Sequence, residues 1–181
     1  MFAIYLYNQR FYEMTSKVTP NNRETVLVDN KIIVSKTDTK GRITYMNEYF
    51  IEVSRYQEDE LLGKPHNIIR HPDMPRAVFK LLWDTIQAGK EINAYVINLA
   101  KDGSHYWVFA NVTPSFDKHG NIIGYFSVRR KPSQQALEVI KPLYRKMLEI
   151  ERTSSMQEST KYLLDILQKK EISYDEFILS I

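Results

Sequence analysis

His66-Asn-Ile-Ile-Arg-His-Pro-Asp-Met-Pro-Arg76 places Arg70, His71 and Asp73 close together and pins the backbone around them with Pro72 and Pro75. Each proline fixes φ and removes an amide donor, so neither a regular helix nor a central strand runs through the segment. It reads as a stiff, shaped loop, and charge gathered on such a loop is a functional lead. Pro75 suits the start of a helix. Ala77, Val78, Leu81, Leu82, Thr85 and Ile86 recur after it at helical spacing, which predicts a helix over 76–88 ending at Gly89. Asp73, just upstream, is placed to cap that helix. Two readings therefore stand side by side: a capped helix entry with an ordinary surface ion pair, and a ligand-binding loop.

On the amino-terminal side, residues 32–37 and 42–46 read as strands joined by the turn Asp38-Thr-Lys-Gly41. Asn47 caps a short helix to about Ser54, and a second short helix near residues 58–62 ends at Gly63. On the carboxyl side, residues 92–100, 104–116 and 121–130 read as three strands. Lys101-Asp-Gly103 and Asp117-Lys-His-Gly120 supply the turns between them. Two strands, then helices, then three strands predict an α+β fold: a five-stranded antiparallel sheet with its helices on one face. The expected organisation is an N-terminal arm and polar linker over 1–30, a central domain over 31–131 and a helical segment over 132–181. Within that last segment Pro142 is expected to kink or interrupt the first helix. A second helix is expected over 156–169, and Ser173-Tyr-Asp-Glu176 is a capping box for a short last one.

Composition excludes several classes. The chain has 181 residues, 43% hydrophobic and 12% aromatic, enough for a packed core and against disorder. It has no cysteine, so disulfides, thiolate metal sites, iron–sulfur clusters and cysteine photochemistry are ruled out. That composition fits a reducing cytoplasm. Net charge is +3 with both signs interspersed, and there is no basic stripe with interleaved aromatics to suggest nucleic acid. The six glycines form neither a phosphate-binding nor a dinucleotide-binding fingerprint, and no G-x-S-x-G elbow occurs. The apolar opening over residues 2–7 is too short to span a bilayer and lacks the character of a secretory signal.

Three motifs narrow the fold. They are Gly63-Lys-Pro-His-Asn-Ile-Ile-Arg-His-Pro-Asp-Met-Pro75, Asp102-Gly-Ser-His-Tyr-Trp-Val108 and Gly124-Tyr-Phe-Ser-Val-Arg129. In this order they resemble the PAS domain of Aer-type aerotaxis (energy-taxis) receptors. Val139-Ile-Lys-Pro-Leu-Tyr144 resembles the segment that follows the PAS core in those receptors. The resemblance implies a cytoplasmic redox sensor that holds FAD non-covalently. By the same resemblance Arg70, His71 and Asp73 match the segment associated with flavin binding. Asn47 matches an asparagine also tied to the flavin, and Asn98 stands where flavin-binding PAS domains set an amide against the polar edge of the ring.

The residue chemistry is compatible with those roles. An asparagine amide carries a donor and an acceptor together, as a flavin edge requires. Arg70 can stabilise the charge of a reduced ring or hold a phosphate. On the strand at 104–116, Tyr106, Val108, Ala110 and Val112 share one face; Trp107, Phe109 and Asn111 share the other. The first set has the smaller side chains expected beside a ring. Asn47 reads equally as an N-cap, His66 as a loop or surface residue, and Trp83 as core. Trp107 is expected to pack outside the sheet against a terminal helix. One departure stands out: the related receptors commonly carry a tryptophan just after the glycine that ends the long helix. Here Ile92 and Asn93 occupy that region, forgoing about 1 kcal/mol of aromatic stacking.

The expected function is a sensor, with no catalytic or metal-binding residue assigned. About fifty residues follow the core, over 132–181, too few for a kinase or a methyl-accepting rod. The signal is therefore expected to pass to a separate membrane-anchored methyl-accepting chemotaxis transducer, which would hold this chain peripherally at the inner membrane. Contact is expected through the aromatic arm and the terminal helices, which can also support a homodimer. Two alternatives remain: a haem-binding PAS sensor, with His66, His71, His105 and His119 as available ligands, and a cofactor-free interaction module.

Overall fold

In the computed structural model, which describes residues 18–181, alternating apolar and small residues build five strands. They are β1 (Ile33–Thr37), β2 (Ile43–Met46), β3 (Ile92–Leu99), β4 (His105–Phe116) and β5 (Ile122–Arg130). All neighbouring pairs are antiparallel, in the order β2-β1-β5-β4-β3. Most of the aromatic arm expected at the amino terminus, residues 1–17, lies outside the described residues.

The β1–β2 turn is made by Asp38, whose Oδ1 accepts from the amides of Lys40 and Arg42 at 2.8 and 2.9 Å. The chain then crosses one face of the sheet in three helices: α1 (Glu48–Ser54), α2 (Glu58–Leu61) and α3 (Arg76–Gln87). Between α2 and α3, His66–Ile69 forms a single 3₁₀ turn, within the segment where the prolines forbid longer regular structure. This is the predicted PAS architecture: an α+β fold with a five-stranded antiparallel sheet and helices on one face.

Three C-terminal helices follow: α4 (Gln134–Thr153), α5 (Met156–Lys170) and α6 (Tyr174–Ser180). The Ser173 and Glu176 capping box of α6 is present. α4 packs on the opposite face of the sheet. There Tyr144 Oη donates to the carbonyl of Tyr95 at 2.7 Å, and its ring lies against Trp107. Trp107 is thus where the strand alternation placed it, outside the pocket face and against a terminal helix. Tyr95 Oη also donates to the carbonyl of Ile181, so the end of the chain is tied to β3. Met147, Leu163, Leu167, Phe177 and Ile178 belong to the same buried cluster as Phe50 and Ile69.

One local expectation is narrowed and one needs correction. Of the kink or interruption expected at Pro142, the interruption does not occur: Pro142 lies inside α4, which runs from Gln134 to Thr153. The missing hydrogen bond costs about 3 kcal/mol in an isolated helix. Here Ala136, Leu137, Ile140, Tyr144 and Met147 are buried on either side of it and hold the helix through that position. Asp73, for its part, does not cap α3. Pro75 is the N-cap and offers no side-chain acceptor. The cap comes from Glu151 of α4, whose two carboxylate oxygens accept from the amides of Arg76 and Ala77, each at 2.9 Å.

The segment expected as a polar linker is also docked. The amide of Asn21 donates to Gly103 O, Thr25 N to His105 O, and His105 N to Arg23 O. Among the described residues no helix is long and apolar enough to cross a membrane.

Candidate functional site

A cavity of about 120 Å³ lies between α3 and the sheet, roughly ten times the space one water occupies. Its floor is the face of the sheet that carries small residues: Ser35 and Thr37 of β1, Val96 and Asn98 of β3, Ala110 and Val112 of β4, and Ser127 of β5. Alternation along β4 sends the bulky Trp107 and Phe109 to the other face, which leaves this room. Its roof is the apolar stripe of α3, with Phe79, Leu82, Trp83 and Ile86, and its rim includes His66, Asn67, Ile69 and Arg70.

Two of the five expected site residues meet at the cavity. Arg70 leaves the 3₁₀ turn in an extended conformation and forms an antiparallel β-bridge with Asn98. The motif loop is thereby fastened to the edge strand β3. The guanidinium of Arg70 stacks 4.5 Å from the ring centre of Phe79 and donates to the carbonyl of Met74. Asn98 is 4% exposed and lines the cavity, and its amide nitrogen has no hydrogen-bond partner. A buried, unpaired amide donor costs on the order of 1–3 kcal/mol, and this one lies on the cavity wall, where the contents of the cavity can supply its acceptor.

The other three are not on the cavity wall. Asn47 is consumed structurally: Oδ1 accepts from Val34 N and Phe50 N, and Nδ2 donates to Ile32 O at 2.9 Å. Its role as an N-cap is explicit in these bonds. Asp73 is exposed and pairs with Arg152 of α4 at 3.2 Å. His71 is buried, its Nδ1 accepting from Asp73 N at 3.0 Å, with its ring edge-on to His105. Burial lowers the pKa of both His71 and His105, against the pull of nearby carboxylates.

Several wall residues have no role assigned by the motifs. His66, expected as a loop or surface residue, lines the cavity, stacks on Phe50, and places Nε2 3.1 Å from Ser35 Oγ and 3.5 Å from Arg129 Nη1. Burial first, and the Arg129 charge second, push its pKa down to about 3, so it is neutral. Arg129, 3% exposed, donates from Nη2 to Ser35 Oγ and lies over the Phe50 ring. A signal for Arg129 was available: β5 alternation sets Tyr125, Ser127 and Arg129 on one face, and the first two are a ring and a small side chain. Trp83, expected in the core, forms cavity wall and meets Tyr125 edge-to-face at 5.5 Å. An aromatic wall is thus present although no tryptophan follows Gly89. Of the four histidines, His66 alone is on the wall of this cavity, and its Nε2 is engaged by Ser35 and Arg129.

Among the described residues no cluster of three metal-ligating side chains occurs.

Residues 43–129 match a family model described as the PAS fold. The chain is 40% identical over 141 residues to the aerotaxis receptor of Escherichia coli (strain K12), spanning 78% of this chain and 28% of that protein. It is 26% identical over 106 residues to the nitrogen fixation regulatory protein of Klebsiella pneumoniae, 59% of this chain and 21% of that one. The chain thus spans about a quarter of the length of these curated relatives. Among solved structures, the light-state structure of the blue-light photoreceptor Aureochrome1 LOV superposes with a TM-score of 0.54 at 27% identity. That match covers 59% of this chain and 86% of the other.

Proposed function

The chain carries a PAS sensory domain of the aerotaxis-receptor type, and from that premise we propose that it is a redox sensor for energy taxis rather than an enzyme. In this reading it holds FAD non-covalently in the cavity beneath α3. The observation that carries the reading is Asn98, a buried amide on the cavity wall with an unused donor, joined by a backbone bridge to Arg70. A flavin ring has a polar edge that accepts hydrogen bonds, and it supplies a redox change to which adjacent donors respond. Asn98 would meet that edge. Phe79, Trp83 and Tyr125 would exclude water from the ring, and Arg70 would hold an anionic group at the rim. His71 and Asp73 would act at one remove, by shaping the loop that carries Arg70.

The output would run through the terminal helices. Arg152 and Glu151 of α4 touch Asp73 and the first turn of α3, so a shift of the cavity roof or the motif loop reaches α4 directly. The proposed receiver is a membrane-anchored methyl-accepting chemotaxis transducer, bound on the cytoplasmic side. The same helices offer a surface for a homodimer. Residues 31–131 would be the sensing unit, with 132–181 as the relay.

The deciding experiment is the absorption spectrum of freshly purified protein reconstituted with FAD, repeated after dithionite, alongside co-purification with the transducer in both states. Flavin bands that bleach on reduction, with redox-dependent co-purification, are expected. A colourless protein after reconstitution would sink the flavin reading, and a Soret band would replace it with haem.

A further inference from the structure

Arg129 is a buried cation whose close neighbours are all uncharged. It sits on β5 opposite Ile33 on one side and Ala110 on the other, with its side chain on the cavity wall. Its contacts are the hydroxyl of Ser35, the neutral ring of His66 and the face of Phe50, 4.6 Å from the guanidinium carbon. Its Nε has no partner, and neither does the hydroxyl of Tyr106, which is fully buried on the same face of the sheet. Among the described residues no carboxylate lies within ion-pair distance of Arg129, whereas the exposed acids Asp102, Glu52, Glu60 and Asp73 pair with Arg23, Lys31, Lys101 and Arg152.

Such an arrangement is costly. Desolvating a charge without a counter-charge is penalised heavily, and burial, against an opposing pull from Tyr106, brings the Arg129 pKa down to about 10. The aromatic face and the hydroxyl offset part of this. The rest calls for an anion, and the cavity is the route by which one arrives. His66 is no competitor for that anion, since it stays neutral; its Nε2 lies 3.1 Å from Ser35 Oγ and 3.5 Å from Arg129 Nη1, beside the guanidinium.

We infer that Arg129, braced by Ser35 and His66, is the anion seat of the cavity: the ligand sets an electron-rich acceptor group that carries or gains negative charge against it. The inference rests on the flavin reading only for the identity of that group, which would be the ring edge that becomes more negative on reduction. Arg129 would then favour the reduced over the oxidised ring, and Asn98 would hold a different part of the same edge.

The test uses the full chain and the substitutions Arg129→Met, which removes the charge while keeping an apolar stem, and Arg129→Lys, which keeps it. Without added ligand, Arg129→Met should unfold in urea at a midpoint equal to or above that of the natural protein, because it removes an uncompensated buried charge. A clear fall in that midpoint would overturn the inference and make Arg129 a structural residue. With FAD bound, Arg129→Met should lose at least tenfold in the preference for reduced over oxidised flavin. That appears as a midpoint potential lower by about 30 mV for a two-electron couple. Arg129→Lys should recover part of it. An unchanged potential in Arg129→Met would also overturn the inference. If the natural protein takes up no FAD, the flavin reading fails by itself, and the urea comparison still decides the anion seat.

Discussion

Glu151 clasps the first turn of α3 at Arg76, its two carboxylate oxygens accepting from the Arg76 and Ala77 amides at 2.9 Å each. A helix start has free amides and a positive dipole end, and a carboxylate satisfies both. The acceptor here comes from the far end of α4, so the roof of the cavity and the terminal helices share one bond pair. Glu151→Ala should lower unfolding free energy by about 1 kcal/mol, the usual value of a lost cap. Glu151→Gln, which keeps one acceptor, should fall between. Urea midpoints measure this, and amide exchange at Arg76 and Ala77 should accelerate first. Protection at those amides that survives Glu151→Ala would refute the clasp.

Gly124 is required where β5 passes β1. A Cβ built there would come 2.3 Å from the carbonyl oxygen of Thr37, a backbone atom that cannot swing aside. Gly124→Ala must push β1 and β5 apart at the end of their pairing, where Thr37 faces Tyr125. A loss of about 2 kcal/mol or more is expected, in the range of forced overpacking. Thermal unfolding checks it. Gly120→Ala is the control for size, since nothing lies within 4 Å of a Cβ there, although its φ of +82° adds local strain.

Much of this fold was written locally. Turn residues at Asp38, Gly103 and Asp117, the cap at Asn47 and the alternation in β4 each depend on neighbours a few positions away. The elements they predict lie within a residue or two of those observed. What was not legible depended on distant partners. Asp73 looked like the cap because it was near, but the backbone at Pro72 and Pro75 turns it outward to Arg152, and Glu151 takes the place. His66 looked like surface because its loop is polar. Its place on the cavity wall is decided by Ser35 and Arg129, on strands that meet only in the sheet. Trp83 sits beside Leu82 on an amphipathic helix, and spacing alone cannot say whether that face meets packed core or a cavity.

Stability should fall on acidification because His66 is held neutral. Its folded pKa is about 3 against an unfolded value near 6.5, so between these the unfolded chain binds more protons. The contribution is complete above about pH 6.5 and is lost as pH falls toward 3, at up to about 1.4 kcal/mol per pH unit for one proton. His71 and His105 are shifted in the same direction by burial. Urea midpoints between about pH 7.5 and about pH 5 should therefore drop, and less so in His66→Gln, which keeps an acceptor for Arg129 and cannot titrate. An identical slope in that variant would remove His66 from the account.

Under the proposed flavin reading, Asn98 is the residue at which ligand binding separates from folding. Its amide nitrogen is buried without a partner, so the native fold gains little from it. Asn98→Leu removes an unsatisfied donor and replaces it with a side chain of similar size. The unliganded protein should keep its urea midpoint or gain slightly. Flavin affinity should fall at least tenfold, about 1.4 kcal/mol, because the ring edge loses its donor and acceptor together. Titration of both proteins with FAD, followed by flavin fluorescence, reads that difference. Asn98 and Ala94 share a face of β3, yet Ala94 is not on the cavity wall, so Ala94→Ser is the control that adds a polar atom to the same strand and should leave FAD affinity unchanged. Equal FAD affinity in Asn98→Leu and the natural protein would mean that the unused donor faces something other than a flavin.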